Sequence, residues 1–156
     1  MLKDCNHCGC LLDNISWAVG NVRKNNYICR KCDSIKGRRN RLKRLALDIG
    51  LSSLRRYSKT KEGYVYILSN PAWPGWVKVG MAVDAQDRCN SYQTSSPFRD
   101  YTLHYSILCT DRRKDEQIAH KHLEGMSSER RGEWFKVPVD QAQESITGIL
   151  KQQNSP

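Results

Sequence analysis

Three side chains within residues 63–88 carry groups that can do chemistry together: the Tyr66 phenol, the Lys78 ammonium and the Arg88 guanidinium. A lysine in such a set can bind phosphate, or lower the pKa of a neighbouring phenol by placing positive charge beside it. The elements that must position them are legible in the same stretch. Two β-type runs, 64–68 and 77–81, flank a turn that contains Asn70, Pro71, Pro74 and Gly75. Side chains alternate between the faces of a strand. Tyr64, Tyr66 and Leu68 therefore share one face, and Lys78 and Gly80 share one face of the second run. A polar segment then opens a helix, favoured at its start by Asp84 or Asp87. That helix carries Arg88 and, one turn later on the same side, Tyr92.

Downstream, β-type content within 101–109 predicts a third strand, and Asp111 can cap a helix over 112–126. On that helix Glu116, Ala119, His120, Leu123 and Met126 form one stripe. A carboxylate and an imidazole within an apolar stripe point to inward-facing polar groups with a task; the other reading is an exposed i,i+4 pair. Residues 133–137 read as a short final strand or core anchor, ended by Pro138. A C-terminal helix is expected over 139–152, with a frayed tail at 153–156.

A second constellation lies near the N-terminus. Four of the seven cysteines form two C-x2-C pairs, Cys5/Cys8 and Cys29/Cys32, separated by 20 residues. Two residues between cysteines let a tight knuckle present both sulfurs to one ion, and two knuckles complete a tetrahedral Zn²⁺ site. Cys10 competes with Cys8 for the second position. About 50 residues cannot bury enough apolar surface unaided. Structural zinc can contribute about 10–16 kcal/mol to folding a unit of this size. The intervening segment, with Ile15, Trp17, Val19, Val22, Tyr27 and Ile28, predicts a small hairpin turning at Gly20-Asn21 or Asn25-Asn26. After Cys32 a helical stripe runs from Ile35 or Gly37 to a stop at Gly50.

Charge separates the two constellations. The formal charge is +10, and residues 1–62 hold all of it, with 15 Lys/Arg against 5 Asp/Glu; residues 63–156 are neutral, with 11 of each. Lys36, Arg38, Arg39, Arg41, Lys43 and Arg44 place much of the excess on the helix after the second knuckle. Such asymmetry predicts a polyanion-binding module joined to a neutral domain. An odd cysteine count and an N-terminus without an apolar signal core favour a reduced, intracellular setting over a disulfide framework. No apolar run has the length to span a bilayer, so no membrane partner is expected. The organisation expected is a zinc module with its basic helix at 1–50, a basic linker at 51–62 and a second domain at 63–152.

The N-terminal pattern, a second knuckle leading into a helix, resembles a treble-clef zinc finger and the zinc-binding N-terminal parts of many phage-type nucleases. From Gly63 to about Val137 the chain resembles the GIY-YIG nuclease superfamily, in the T5orf172-like variant. Tyr64-Val65-Tyr66 after Gly63 stands in place of the first motif, and Lys78-Val79-Gly80 in place of the second. Arg88 follows Gly80 by eight residues, the spacing of the family's catalytic arginine, and DEQIAHKHL followed by GEWFKV matches the variant's later part. Tyr64 replaces a motif glycine and Lys78 a motif tyrosine.

The resemblance implies an α+β fold, a three-stranded sheet flanked by helices, preceded by the zinc finger and basic helix. It also implies a metal-dependent DNA endonuclease. Tyr66, lowered in pKa by Lys78, would be the general base; Arg88 would hold the scissile phosphate. Glu116, with Glu133 as the alternative, would hold one Mg²⁺ or Mn²⁺; Tyr92 and His120 would orient water or phosphate. DNA is the implied partner, and the host cytoplasm the implied setting if the origin is a phage. The alternatives are a catalytically silent nucleic-acid-binding protein that retains the fold, and a protein that binds a host nuclease or polymerase through its second domain.

Overall fold

The computed structural model describes residues 3–47 and 56–153. The predicted helix stop at Gly50 and residues 51–55 of the expected linker lie outside the described residues, as do 154–156 of the tail. The chain divides into two compact units, Met1–Arg44 and Leu45–Pro156.

In the first unit, strands β1 (Lys3–Asp4) and β2 (Leu11–Leu12) pair antiparallel around the first knuckle. The segment between the knuckles differs from the expected hairpin. It holds one short helix, α1 (Val19–Arg23), and a single bridge from Trp17 to Cys29. Local polar bonding explains the difference. The Asp13 carboxylate accepts from the backbone N–H groups of Ile15 (2.9 Å) and Ser16 (2.6 Å), forming a turn where a strand would need an extended chain. Asn25 then leaves the helix at φ +50°, a conformation Asn tolerates better than most residues. Helix α2 (Arg30–Leu47) begins directly at the second knuckle, several residues before the apolar stripe suggested. Little is buried among the described residues of this unit: a cluster of Cys5, Leu12 and Cys29, packed by Trp17, Tyr27 and Cys32, together with Ile28 and Leu42.

The second unit is built on a five-stranded antiparallel sheet rather than the three strands expected. Its strands are β3 (Gly63–Ser69), β4 (Trp76–Ala82), β5 (Thr102–Cys109), β6 (Arg130–Arg131) and β7 (Trp134–Lys136), in the order β5-β3-β4-β7-β6. The two further strands form a tight hairpin at Gly132 (φ +59°); β7 falls within the stretch 133–137 read as a short final strand or core anchor, whereas the two-residue β6 is too short to show alternation. The helices are α3 (Ala85–Gln93), α4 (Arg112–Met126) and α5 (Val139–Gln153). Asp84 and Asp111 cap α3 and α4, their side chains accepting from the N–H groups of Asp87 and Lys114.

Strand alternation sorts the sheet into two surfaces. Val65, Ile67, Val77, Val79 and Phe135 face α4 and α5, where Ala119, Leu123, Ala142, Ile146 and Leu150 complete the main core. Each fully buried aliphatic or aromatic side chain here contributes about 1.5–3 kcal/mol. The opposite surface carries Tyr66, Leu68 and Ala82, packed by Ala85 and Cys89 of α3 and by Tyr64, Tyr92, Tyr101 and Leu103. One buried cation ties the start of the unit to the sheet. Arg112, 2% exposed, donates to the backbone carbonyls of Tyr57 (3.0 Å), Thr60 and Glu62 (2.9 Å). Residues 57–62 are thus bound into this unit by its own hydrogen bonds.

Candidate active site and metal centre

Tyr66 pairs with Gly80 and Leu68 with Lys78, so the phenol, the glycine and the ammonium lie on one face, as alternation requires. Tyr66 is 2% exposed and its ring lies against Gly80. Helix α3 brings Arg88 and Tyr92 over the same face. A cavity of about 240 Å³ is lined there by Tyr66, Met81, Arg88, Tyr92, Glu116 and Glu133. Two phenols, a guanidinium and two carboxylates from β3, α3, α4 and the β6–β7 turn therefore meet in one space.

The arrival of Glu116 depends on where β7 stops. Ladder pairing between β4 and β7 ends at Lys78–Trp134, with a last bond from the Val79 N–H to the Glu133 carbonyl. Beyond that point helix α4 supplies the partners for the edge of β4. His120 Nε2 donates to the Val79 carbonyl (2.8 Å), and the Met81 N–H acts on the Glu116 carboxylate. His120 also packs on the Phe135 ring at 5.3 Å. Its Nε2 is committed to backbone, so His120 fixes helix to strand rather than facing the cavity.

Lys78 differs from expectation as well. It is buried (8% exposed), its ammonium pairs with the Glu133 carboxylate, and it stands 5.5 Å from the centre of the Tyr92 ring. The Tyr66 phenol is not lowered in pKa. Burial pushes it up, aided by hydrogen bonding to Tyr92, and the opposing positive charge is that of Arg88. At neutral pH Tyr66 is a neutral phenol. Burial likewise raises Glu116; Glu133 adds to the rise, while His120, Lys78 and the Met81 N–H oppose it.

One site residue escaped the sequence reading. Tyr57, within the stretch taken as linker, accepts at its hydroxyl from Arg88 Nη2 (3.5 Å) and from the Val83 N–H (3.5 Å). Burial works against the Arg88 charge, but the Tyr57, Tyr66 and Tyr92 oxygens outweigh it and hold the guanidinium firmly cationic. A lone tyrosine among basic residues carried no periodic signal.

In the first unit, the sulfurs of Cys5, Cys8, Cys29 and Cys32 lie within 4.8 Å of one another. The Cys29 N–H donates to the Cys5 sulfur (3.3 Å) and the Cys32 N–H to the Cys29 sulfur (3.4 Å). The first of these bonds is the main reason the Cys5 thiol falls to about 6. Four convergent sulfurs supported by N–H donors are a donor set that fits a tetrahedral Zn²⁺. Cys10 stands beside Cys8, with its thiol raised to about 12 chiefly by hydrogen bonding to Cys8. On α2, Lys36, Arg39, Arg41, Lys43 and Arg44 are exposed and Arg38 is half-buried, while Leu42 is buried.

No helix among the described residues is long and apolar enough to cross a membrane. Comparison of the chain with curated proteins and with solved structures returns no match. A family model does match: the T5orf172 domain, over residues 63–150, from the start of β3 to near the end of α5. That domain is associated with nuclease-type phage proteins, and a nucleic-acid-directed role goes with it. The match spans more than half of the sequence and every residue that lines the cavity, and the chain belongs to the T5orf172 domain family.

Proposed function

We propose that the protein is a divalent-metal-dependent DNA endonuclease, brought to its substrate by the basic zinc module. The observation that carries this reading is the convergence of Arg88, Glu116, Glu133, Tyr66 and Tyr92 on one 240 Å³ cavity. Phosphodiester hydrolysis needs a held phosphate, a positioned water and compensation of the charge that develops. Arg88 is a permanent cation braced by Tyr57, suited to the phosphate and to its transition state. Glu116 offers carboxylate oxygens of the kind Mg²⁺ or Mn²⁺ prefers, with its pKa raised chiefly by burial and further by Glu133, the second carboxylate of the cavity. Such an ion, when bound, supplies Lewis-acid stabilisation of the phosphate oxygens.

Tyr66 serves as a neutral phenol that orients the attacking water, with Tyr92 beside it. Lys78 holds Glu133 in place and offsets the second carboxylate. His120 positions Glu116 by anchoring α4 to β4. In the first unit Cys5, Cys8, Cys29 and Cys32 hold Zn²⁺, and the exposed cations of α2 contact DNA phosphates. Neutralising about six phosphates would lower affinity roughly 10³-fold between 50 and 200 mM salt.

The test is cleavage of supercoiled plasmid with Mg²⁺ or Mn²⁺ by wild type, Arg88→Ala, Glu116→Ala and Tyr66→Phe. Cleavage by wild type alone supports the reading; equal cleavage by all four, or none with either ion on any DNA form, overturns it. A second reading, a nucleic-acid-binding protein without catalysis, draws on the burial of Tyr66 and the engagement of Lys78 by Glu133. Salt-sensitive DNA binding without cleavage would favour it.

A further inference from the structure

The sheet face that carries Tyr66 and Lys78 continues into a second cavity of about 410 Å³, lined by Trp73, Trp76, Glu129, Arg131, Trp134 and Lys136. The register explains its walls. Trp76 pairs with Lys136 and Lys78 with Trp134, so these four side chains form a block on one face. Trp73 closes the block from the β3–β4 turn, its ring 5.2 Å from that of Trp134 at 70°. The turn is built to hold it there. The Trp73 N–H donates to the carbonyl of Asn70, which is 4% exposed and anchored by its side chain to Asp100 (2.8 Å). Trp73 nonetheless remains 48% exposed. A half-exposed indole on a rigid turn is an aromatic surface offered to a ligand.

The two cavities adjoin. Glu133, on the catalytic cavity, is the chain neighbour of Trp134. A run of rings also joins them, from Tyr92 to Tyr101 (5.5 Å) and from Tyr101 to Trp73 (6.4 Å). Three indoles can cage a cation or stack a flat ring. Charge decides between these. Glu129 is taken up by Arg131 at 2.7 Å, which leaves Lys136 as the net charge of the rim. A positive rim opposes an ammonium guest and favours a flat ring tethered to an anion, which is the chemistry of a nucleotide. Bases inside a duplex have their faces covered by neighbours, so only an unstacked base can enter.

We propose that the Trp73–Trp76–Trp134 cavity stacks an unpaired nucleobase beside the scissile phosphate, making DNA with a single-stranded or flipped-out nucleotide the preferred substrate. The position of the scissile phosphate rests on the nuclease reading; the stacking itself does not. The experiment measures binding by the full chain without added divalent ion, using a fluorescent single strand of about ten nucleotides and a duplex of the same length. Trp73→Ala weakens the single strand by at least about 5-fold and leaves the duplex within about 2-fold. Trp73→Tyr restores most of the loss. A 2-aminopurine in the single strand is quenched by wild type and not by Trp73→Ala.

Unchanged single-strand affinity in Trp73→Ala, or equal loss on both substrates, overturns the proposal. So does binding of a trimethyllysine peptide, dependent on Trp73, in place of the oligonucleotide. Plasmid cleavage is scored separately. Its absence with Trp73-dependent stacking intact counts against the nuclease reading alone, whereas cleavage with no Trp73 effect on single strands counts against this inference alone.

Discussion

The Tyr66 phenol lies across Gly80, its cross-strand partner: a Cβ at position 80 would stand 2.6 Å from the Tyr66 hydroxyl oxygen. The glycine is there to make room for the ring. Gly80→Ala must push Tyr66 aside, and the buried strand cannot yield easily. The expected result is a loss of about 1–3 kcal/mol in stability from overpacking. Cleavage should fall about 10²-fold from misplacement of the site. Urea melts and plasmid nicking rates on the same preparation check both.

Arg88 meets Tyr57 at its guanidinium and lines the 240 Å³ cavity proposed as the active site. Removing a charged donor aimed at a reacting phosphate costs about 10²–10³ in rate. Arg88→Ala should show that loss while retaining DNA affinity, because the net charge sits in residues 1–62. Tyr57→Phe should lower the rate more mildly, by about 3- to 10-fold. Single-turnover cleavage with saturating enzyme separates the rate from binding. An Arg88→Ala protein as fast as wild type would remove Arg88 from the mechanism.

Burial raises the Glu116 pKa, and this sets a pH dependence whose sign can be worked out. Between the ordinary glutamate value and the raised one, the folded protein binds more protons than the unfolded chain. Stability therefore falls as pH rises through that window. Glu116→Gln should flatten this part of the stability profile. Cation binding runs the opposite way, since it needs the carboxylate ionised. Apparent Mn²⁺ affinity should rise with pH across the same window and lose that dependence in Glu116→Gln. Calorimetric titration with Mn²⁺ at several pH values is the check.

The four-sulfur cluster predicts which cysteines hold metal. Protein purified without chelator should carry about one equivalent of zinc. Cys8→Ser should lose most of it and Cys10→Ser should retain it, because Cys10, though beside Cys8, is not one of the four sulfurs that all lie within 4.8 Å of one another. Stripping the metal should unfold the first unit, whose buried cluster at the knuckles is Cys5, Leu12 and Cys29, two of them metal-ligand candidates. Elemental analysis together with proteolysis of residues 1–44 reports both effects. Equal zinc in both serine variants would reject the assignment.

Arg112 serves structure. Its guanidinium satisfies three backbone carbonyls of residues 57–62 in a buried setting. Arg112→Met should cost about 3 kcal/mol or more, since buried acceptors left unpaired cost about 1–3 kcal/mol each. It should also release the segment that carries Tyr57. Hydrogen exchange over residues 57–62 should increase in the variant.

Sequence by itself determined much of what depends on short-range pattern, though the hairpin expected between the knuckles is instead a turn and a short helix. Cysteine spacing marked the four-sulfur cluster, and strand alternation placed Tyr66, Lys78 and Gly80 on one face. The caps at Asp84 and Asp111 and the span of α4 are also local, because a side chain three residues on decides them. The tertiary structure decided what depends on distant partners. Lys78 meets Glu133 across 55 positions, and Arg112 meets Tyr57 across another 55. The stretch 133–137 was readable as a short strand or anchor, but its place beside β4, its pairing with the two-residue β6 and the point where it stops, which lets α4 bring Glu116 to the edge of β4, depend on distant partners. The same distinction governs the chemistry. The residue at position 66 is readable as a tyrosine, but its ionisation is set by burial and by which charges stand near it. Burial and the neighbouring Tyr92 push its pKa up, opposite to the lowering by Lys78 that the sequence suggested.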